Sequence, residues 1–275
     1  MRHSARRRAL VIAGSTVIAG FALMAPAYAA TSGPSATTAV TGAPHTASGA
    51  TLQPGGTIQH VVRPSTALSG GRNASSTSTN WSGYAATGST YTSVASSWTE
   101  PTGTCKSGDQ YSSFWVGLDG YNSNSVEQTG TDSDCSGGTP DYYGWYEMYP
   151  ADPVYFTNPV APGDSLSASV TVSGTSYTLT LTDSTQGWTQ TENESGSYAD
   201  SSAEVITEAP SSSQGPLPLA DFGTISYSAS AANGASFSAQ DPTSITMVAG
   251  TGDELDSTSA LDGSGGFSNT WQAAS

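Results

Sequence analysis

The chain has 275 residues, of which 36% are apolar and 11% are charged, and its formal net charge at pH 7 is −15. All histidines lie at or before position 60 and all 22 acidic residues lie from position 100 onward, so residues 73–275 carry one cation, Lys106, and a net charge of −21. This composition excludes nucleic acid and anionic membranes as partners of that body. Without histidine it also excludes Ser-His-Asp and Cys-His catalysis and a His-ligated zinc site.

The N-terminus has the three parts of a secretory signal peptide. Basic residues up to Arg8 precede an apolar run over 9–25, and the small-residue pattern Ala27-Tyr28-Ala29 follows. The pattern predicts a signal peptide over 1–29, cleaved after Ala29, and a secreted, extracellular protein. The alternative is a membrane span, but the run is short and interrupted by glycine, and no later stretch approaches a span. No membrane association is expected after cleavage.

Residues 30–72 are rich in Thr, Ser, Ala, Gly and Pro and have little apolar periodicity, so we expect them to be mostly disordered on their own. A linker, a wall tether and a pro-segment are the alternatives. The pro-segment is favoured because the region holds His45, His60, Arg63 and Arg72 beside a strongly acidic body. We hypothesise that it docks electrostatically near neutral pH and is released when the body carboxylates are protonated. Unchanged folding yield and latency after deletion of residues 30–72 would contradict this hypothesis.

From Asn80 onward, apolar and polar residues alternate, with Thr, Val, Tyr and Trp enriched and turn residues at short intervals. The pattern predicts an all-β fold, a single antiparallel β-sandwich or jelly roll over 73–275 with little helix. A hairpin is expected at Ser173-Gly174-Thr175. The predicted strands are 92–98, 112–118, 125–129, 142–149, 165–172, 176–182, 203–208, 224–228 and 243–248.

Cys105 and Cys135 are the only cysteines, and such a pair in an exported chain predicts a disulfide. The bridge would close a loop around the strands that contain Trp115 and Gln128. A catalytic thiol is the alternative, but no histidine is available to activate it.

With histidine excluded, carboxylates, amides and hydroxyls are the groups left for catalysis. Strand alternation places Trp115 and Asp119 on one face of their strand, and Trp145 and Glu147 on one face of another.

Glu204 and Glu208 also share a strand face by alternation. A carboxyl group among aromatic side chains is partly desolvated, which raises its pKa and suits acid–base chemistry at low pH. For any one of these residues, however, a solvated glutamate or an aromatic stripe in the core is the alternative interpretation.

Taken together, six segments between residues 80 and 228 resemble the glutamic peptidases (the eqolisins), which are secreted, acid-acting endopeptidases, and indicate a bacterial-type member. The segments occur in the family's order. They are Asn80-Trp81-Ser82-Gly83-Tyr84, Trp115-Val116-Gly117-Leu118-Asp119-Gly120, Gln128-Thr129-Gly130 with Asp132, Trp145-Tyr146-Glu147 with Tyr149-Pro150, Ala203-Glu204-Val205-Ile206-Thr207-Glu208, and Ala220-Asp221-Phe222-Gly223.

The resemblance implies a lectin-like sandwich of two large sheets, with a catalytic pair in the cleft of a concave face. By position the pair is Gln128 and Glu208, which we expect on adjoining strands around one bound water. Glu208 would act as general base and then general acid, and the Gln128 amide would stabilise the oxyanion. Protein or peptide substrates, a monomer, and no metal or organic cofactor are expected.

Further roles follow from the same resemblance. Trp115, Trp145 and Glu147 match family positions near the cleft and are expected to line the substrate or support the pair. The weaker supporting candidates are Trp81, Asp119, Asp132 and Glu204.

Glu127 departs from the family pattern, in which an apolar residue often precedes the glutamine. On the face opposite Gln128 it would point toward the core between the sheets, where an unpaired carboxylate is costly. We therefore expect it to be protonated or paired, unless the sheet edge is open.

Two other functions remain open from the sequence. A jelly-roll glycosidase would use Glu147 and Glu208 as its two carboxyl groups, about 5–5.5 Å apart, and would not need Gln128. A non-catalytic carbohydrate-binding sandwich would use the aromatic residues alone and would not change when Glu208 is replaced.

Overall fold

The structure is a computed structural model that describes residues 64–67, 74–106 and 108–275. The predicted signal peptide and all but residues 64–67 of the predicted pro-segment lie outside the described residues. The basic residues of the docking hypothesis, His45, His60, Arg63 and Arg72, lie outside them as well. Among the described residues, no helix has the length and apolar character needed to cross a membrane.

The described residues are almost entirely β-structure, and a single 3₁₀ turn, Phe237–Gln240, is the only helical element among them. The strands, in chain order, are β1 (Pro64–Ala67), β2 (Ser75–Ser78), β3 (Trp81–Thr87), β4 (Ser93–Thr99), β5 (Ser113–Leu118), β6 (Val126–Ser136), β7 (Thr139–Tyr149), β8 (Val154–Pro159), β9 (Ser165–Ser173), β10 (Ser176–Asp183), β11 (Trp188–Ser195), β12 (Ser202–Glu208), β13 (Ser211–Ser212), β14 (Gly215–Pro216), β15 (Thr224–Ala232), β16 (Ala235–Ser236), β17 (Thr243–Val248), β18 (Glu254–Thr258) and β19 (Phe267–Trp271).

Two large sheets form a sandwich, as predicted. One runs in the order β8-β7-β6-β5-β12-β3-β17-β2-β1, and the other in the order β11-β10-β9-β4-β15-β19-β18-β17. Strand β17 belongs to both, because residues 243–245 pair with β3 while Met247 and Val248 pair with β18. Nearly all pairings are antiparallel; the β17–β2 pairing is parallel.

The main core lies between the two sheets and follows from strand alternation. Phe114, Val116 and Leu118 on β5 pack in one apolar cluster with Val170 on β9 and Leu179 on β10. Residues of the opposite parity on β5, β6, β7 and β12 face away from this core, and a second, smaller cluster forms there around three tryptophans. The candidate site is on this second face.

The positions of the predicted strands agree with the structure, but some lengths differ. The strand predicted at 125–129 continues to Ser136, where Gly137 and Gly138 form the turn of a long hairpin with β7. The hairpin predicted at residues 173–175 is present as the β9–β10 connection. Strands β1, β2, β3, β8, β11, β13, β14, β16, β18 and β19 were not predicted.

The predicted disulfide is present. Cys105, in the segment before β5, is bonded to Cys135 near the end of β6, with the two Cα atoms 5.4 Å apart. The bridge therefore attaches the β4–β5 connection to the strand that carries Gln128.

Candidate active site

The two residues of the predicted catalytic pair lie on one face of the same sheet. Gln128, on β6, is opposite Gly117 of β5, and Gly117 is opposite Glu204 of β12. Paired residues point to the same side of a sheet, and so do residues four apart on one strand, so Glu208 shares this face. The expectation of adjoining strands was wrong: β5 lies between β6 and β12.

The register places the pair on a diagonal across β5. Glu208 is opposite Ser113, while Gln128 is opposite Gly117, four residues further along the same strand. Trp115 is the residue between these two positions, and its partner on β6 is Gly130. The site is therefore organised around the Trp115 indole.

Glu208 is fully buried, and two N–H groups hold its carboxyl group. The Trp115 indole Nε1 donates to Oε2 at 2.8 Å, and the Asn80 amide Nδ2 donates to Oε1 at 3.1 Å. The Trp81 ring packs edge-to-face on Trp115, with ring centroids 4.8 Å apart. These contacts fix the direction of the Glu208 side chain and give Trp81 and Trp115 a supporting position beside it.

Asn80 is a site residue that the sequence analysis did not select. It is buried just before β3, and the Ser78 hydroxyl donates to its Oδ1 at 3.2 Å, which leaves Nδ2 directed at Glu208. Its position at the head of the first of the six resembling segments was the available signal. Since Asn80 is adjacent in sequence to Trp81, one short segment supplies two neighbours of the carboxyl group.

Gln128 is also fully buried, and its amide is oriented by Glu147. Gln128 Nε2 donates to Glu147 Oε2 at 2.6 Å, across the directly paired positions of β6 and β7. A primary amide carries two N–H donors and a carbonyl acceptor, a combination that is chemically suited to contact a reacting group. Glu147 is therefore placed to position Gln128.

A second tryptophan–carboxylate contact adjoins the first. Trp145 Nε1 donates to Asp132 Oδ1 at 2.7 Å, and both residues are buried on the same face as Gln128. Trp145 packs in the small cluster with Trp81 and Trp115. Each tryptophan on β5 and β7 thus directs its indole N–H at an acidic residue.

Asp119 does not lie where alternation predicted. Strand β5 ends at Leu118, and Asp119 has a left-handed backbone with φ of 65°, so the alternation stops there. Its carboxyl group lies beside Glu127 and Asp200 rather than among the tryptophans. The prediction that it shares a face with Trp115 was therefore wrong.

Glu204 is buried on the face of Glu208 but lies toward the other end of β12. Burial raises its pKa well above the ordinary value, and the charges of Asp119 and Glu127 raise it further. Glu127 is buried on the opposite face from Gln128, as predicted, and burial together with the Asp119 charge raises its pKa to about 9. Both carboxyl groups are therefore held largely in the neutral form at acidic pH.

The register does not favour the glycosidase pair. Glu147 on β7 and Glu208 on β12 are separated by β5 and β6, which corresponds to about 14 Å between the outer strand axes at the usual strand spacing. Glu147 instead accepts a hydrogen bond from Gln128. Glu147 therefore interacts with Gln128, a residue that a glycosidase would not need.

A two-sheet β-sandwich with a glutamine, glutamates and tryptophans gathered on one face is the architecture of a glutamic peptidase. The chain matches the Peptidase A4 family over residues 79–270 and belongs to this family. The family resemblance of the sequence is therefore confirmed.

Among curated proteins, aspergillopepsin-2 of Aspergillus niger is 30% identical over 176 aligned residues. The match covers 54% of this chain and 62% of the relative, so the chain spans about three-fifths of that protein's length.

Two solved structures are similar in fold and sequence. Scytalido-glutamic peptidase in complex with a peptide-based transition-state analogue superposes with a TM-score of 0.61 at 27% identity, covering 70% of this chain and 98% of that one. Aspergilloglutamic peptidase from Aspergillus niger superposes with a TM-score of 0.52 at 28% identity, covering 59% of this chain and 99% of that one.

Proposed function

We propose that this protein is an acid-acting endopeptidase that hydrolyses peptide bonds with Gln128 and Glu208 as its catalytic pair. The observation that carries the proposal is the arrangement of these two buried side chains on one sheet face, each oriented by hydrogen bonds, in a member of the Peptidase A4 family. Peptide hydrolysis needs an activated water, stabilisation of the carbonyl oxygen and a proton for the leaving nitrogen.

Glu208 supplies the proton transfers. Its carboxylate takes a proton from water as the water oxygen attacks the scissile carbonyl carbon. The same group then returns this proton to the nitrogen as the carbon–nitrogen bond breaks. The N–H groups of Trp115 and Asn80 keep the carboxyl group in one orientation through both steps.

Gln128 stabilises the negative charge that develops on the carbonyl oxygen. The Gln128 amide donates to Glu147, and in the proposed reaction an amide N–H donates to the oxyanion while the amide carbonyl helps to hold the water. Because Glu147 fixes the orientation of the amide before substrate binds, little reorganisation is required during the reaction.

Protein or peptide substrates are proposed for the same site. The similar solved structures support this, since one contains a peptide-based transition-state analogue and another, SCP-B of the eqolisin family, contains the tripeptide Ala-Ile-His. Secretion is proposed from the signal-peptide pattern over 1–29, and the disulfide is consistent with an oxidising compartment.

The experiment compares the secreted, processed protein with Gln128→Ala and Glu208→Gln in the cleavage of a denatured protein at acidic pH. Losing one oxyanion donor is expected to lower kcat by about 10²–10³, and losing the general base by about 10²–10⁴. The matched controls, Gln214→Ala and Glu254→Gln, change exposed residues outside the sheet face and should keep full activity. Wild-type turnover in a folded Gln128→Ala or Glu208→Gln protein would overturn the catalytic assignment.

A further inference from the structure

A second group of carboxyl side chains lies at the end of β5 and β6, away from the candidate active site. One oxygen from each of Asp119, Glu127 and Asp200 lies within 4.8 Å of the others. Asp119 directly follows β5, Glu127 is on β6, and Asp200 precedes β12. Since Glu127 is adjacent to Gln128 on one strand, its side chain points to the opposite face of the sheet.

Asp119 is held rigidly in this group. Its Oδ2 accepts the backbone N–H of Asp200 at 2.7 Å, and its Oδ1 accepts the backbone N–H and the hydroxyl of Ser201, both at 2.8 Å. Asp119 and Asp200 both have left-handed backbones, with φ of 65° and 51°. The chain around the group is thus folded tightly so that the two carboxyl groups approach each other.

Glu127 points into the group, where its nearest polar neighbours are Asp119 and Ser125. Its side chain is fully buried, and neither of its carboxyl oxygens accepts a hydrogen bond of normal geometry from a described residue. A buried carboxyl group left in this state costs several kcal/mol unless something neutralises it. The neutralising agent is either a proton or a cation.

No cation of the protein body serves this purpose. Lys106 is the only basic residue from 73 onward, and it lies 3.8 Å from Asp221 and over the ring of Trp271 instead. Glu204, the further acidic neighbour, adds negative charge rather than compensating it. The group therefore requires neutralisation from outside the described chain.

We propose that Asp119, Glu127 and Asp200 form a Ca²⁺ site. Ca²⁺ prefers carboxylate oxygens at about 2.3–2.6 Å, so ligand oxygens around one ion are at most about 5 Å apart, which agrees with the spacing of the three carboxyl groups. Mg²⁺ needs shorter bonds and near-ideal octahedral geometry, and proteins usually bind it with one or two carboxylates rather than with three. Asp200 is only partly buried and gives the ion a route from solvent.

The bound ion would connect three parts of the sheet. It would join the end of β5 and the start of β6 to the segment entering β12, which is the strand that carries Glu208. Tyr177 on β10 donates to Asp200 Oδ1 at 2.6 Å, so the opposite sheet also reaches the site. We therefore assign the ion a structural role, outside the chemistry of peptide cleavage.

The test is titration of the chelator-treated full chain with CaCl₂ at neutral pH, followed by calorimetry and thermal unfolding, with MgCl₂ as the comparison. One Ca²⁺ per chain and a raised Tm are expected. Glu127→Gln and Asp200→Asn should each weaken Ca²⁺ binding at least about tenfold, as is typical when metal-site residues are changed. Asp152→Asn, an exposed aspartate outside the group, is the control and should bind like wild type.

Two results would overturn the proposal. An absence of Ca²⁺ binding to the wild-type chain would mean that a proton on Glu127 neutralises the group. Undiminished binding in Glu127→Gln and Asp200→Asn would place the ion elsewhere. Because the wild-type titration alone is decisive, a variant that fails to fold does not rescue the proposal. Calcium binding and peptide cleavage are measured separately, so neither result depends on the proposed function.

Discussion

Glu208 depends on two neutral N–H donors from residues that do not themselves carry out proton transfer. Asn80 contributes one of these donors at 3.1 Å, and its own orientation is set by Ser78. We expect Asn80→Ala to lower kcat about 10- to 100-fold, because a hydrogen bond to a charged group contributes about 1.5–3 kcal/mol. KM should change little, since Asn80 contacts Glu208 and not the proposed substrate.

Steady-state kinetics on a denatured protein substrate, with thermal unfolding measured in parallel, checks this prediction. Asn124→Ala, at an exposed position in the β5–β6 connection, is the control. A fall in activity that only mirrors a fall in folded fraction would assign Asn80 a purely structural role, and an unchanged kcat would remove it from the site.

For single residues, the sequence predicted which residue types lie near the proposed catalytic pair better than it predicted their contacts. Trp115 and Glu147 were expected near the pair, and they contact Glu208 and Gln128. The contact of Asn80 with Glu208 could not be predicted, because an amide reaching a carboxyl group 128 positions away leaves no local pattern, and its place at the head of a resembling segment was the only signal for it. Asp119 was misplaced because one left-handed residue ends the alternation on which the prediction rested.

At the scale of strands, Gly130 explains why β6 was predicted too short. The prediction ended at Thr129 because glycine commonly interrupts a strand. In the structure β6 continues, since Gly130 sits directly against β5: a Cβ atom there would lie 2.1 Å from the Phe114 carbonyl oxygen and 2.6 Å from the Trp115 Cβ. Close backbone approach, which only the tertiary structure reveals, is the reason for the glycine.

Gly130→Ala should therefore destabilise the protein strongly. The clash involves backbone and the Cβ atom of a buried tryptophan, so it cannot be relieved by rotating a side chain. We expect a loss of about 3 kcal/mol in the free energy of unfolding, the upper end of the usual cost of overpacking, measured by urea denaturation. Gly250→Ala, where an added Cβ meets nothing within 4 Å, should have a small effect. Similar losses for both variants would contradict the packing argument.

The disulfide between the β4–β5 connection and β6 gives a second prediction for the strands around Gln128. It closes a loop with a sequence separation of 30 residues, for which chain entropy predicts about 3–4 kcal/mol of stabilisation. The double variant Cys105→Ser, Cys135→Ser should lose about this free energy in urea unfolding. A loss of less than about 1 kcal/mol would show that the loop is ordered by its strand pairing alone.

For the whole molecule, the sequence predicted a strongly acidic body but not where its carboxyl groups lie. Burial cannot be read from composition, and most acidic residues of an ordinary protein are solvated. Here Glu100, Glu127 and Asp256 are essentially fully buried. Burial raises the pKa of Glu100 and Asp256 to about 8 and that of Glu127 to about 9.

These raised pKa values predict that the protein is most stable in acid. In the unfolded chain the same groups titrate near their ordinary pKa of about 4, so at intermediate pH the folded state binds more protons than the unfolded state. The free energy of unfolding therefore falls as pH rises, by up to about 1.4 kcal/mol per pH unit for each group, until the folded pKa values of about 8–9 are passed. Urea midpoints without added divalent cations should thus be highest at acidic pH and decline toward neutrality. Glu100→Gln should make the decline shallower, because the amide cannot ionise, whereas a midpoint that rises toward neutral pH would show that these carboxyl groups do not govern the stability of the fold.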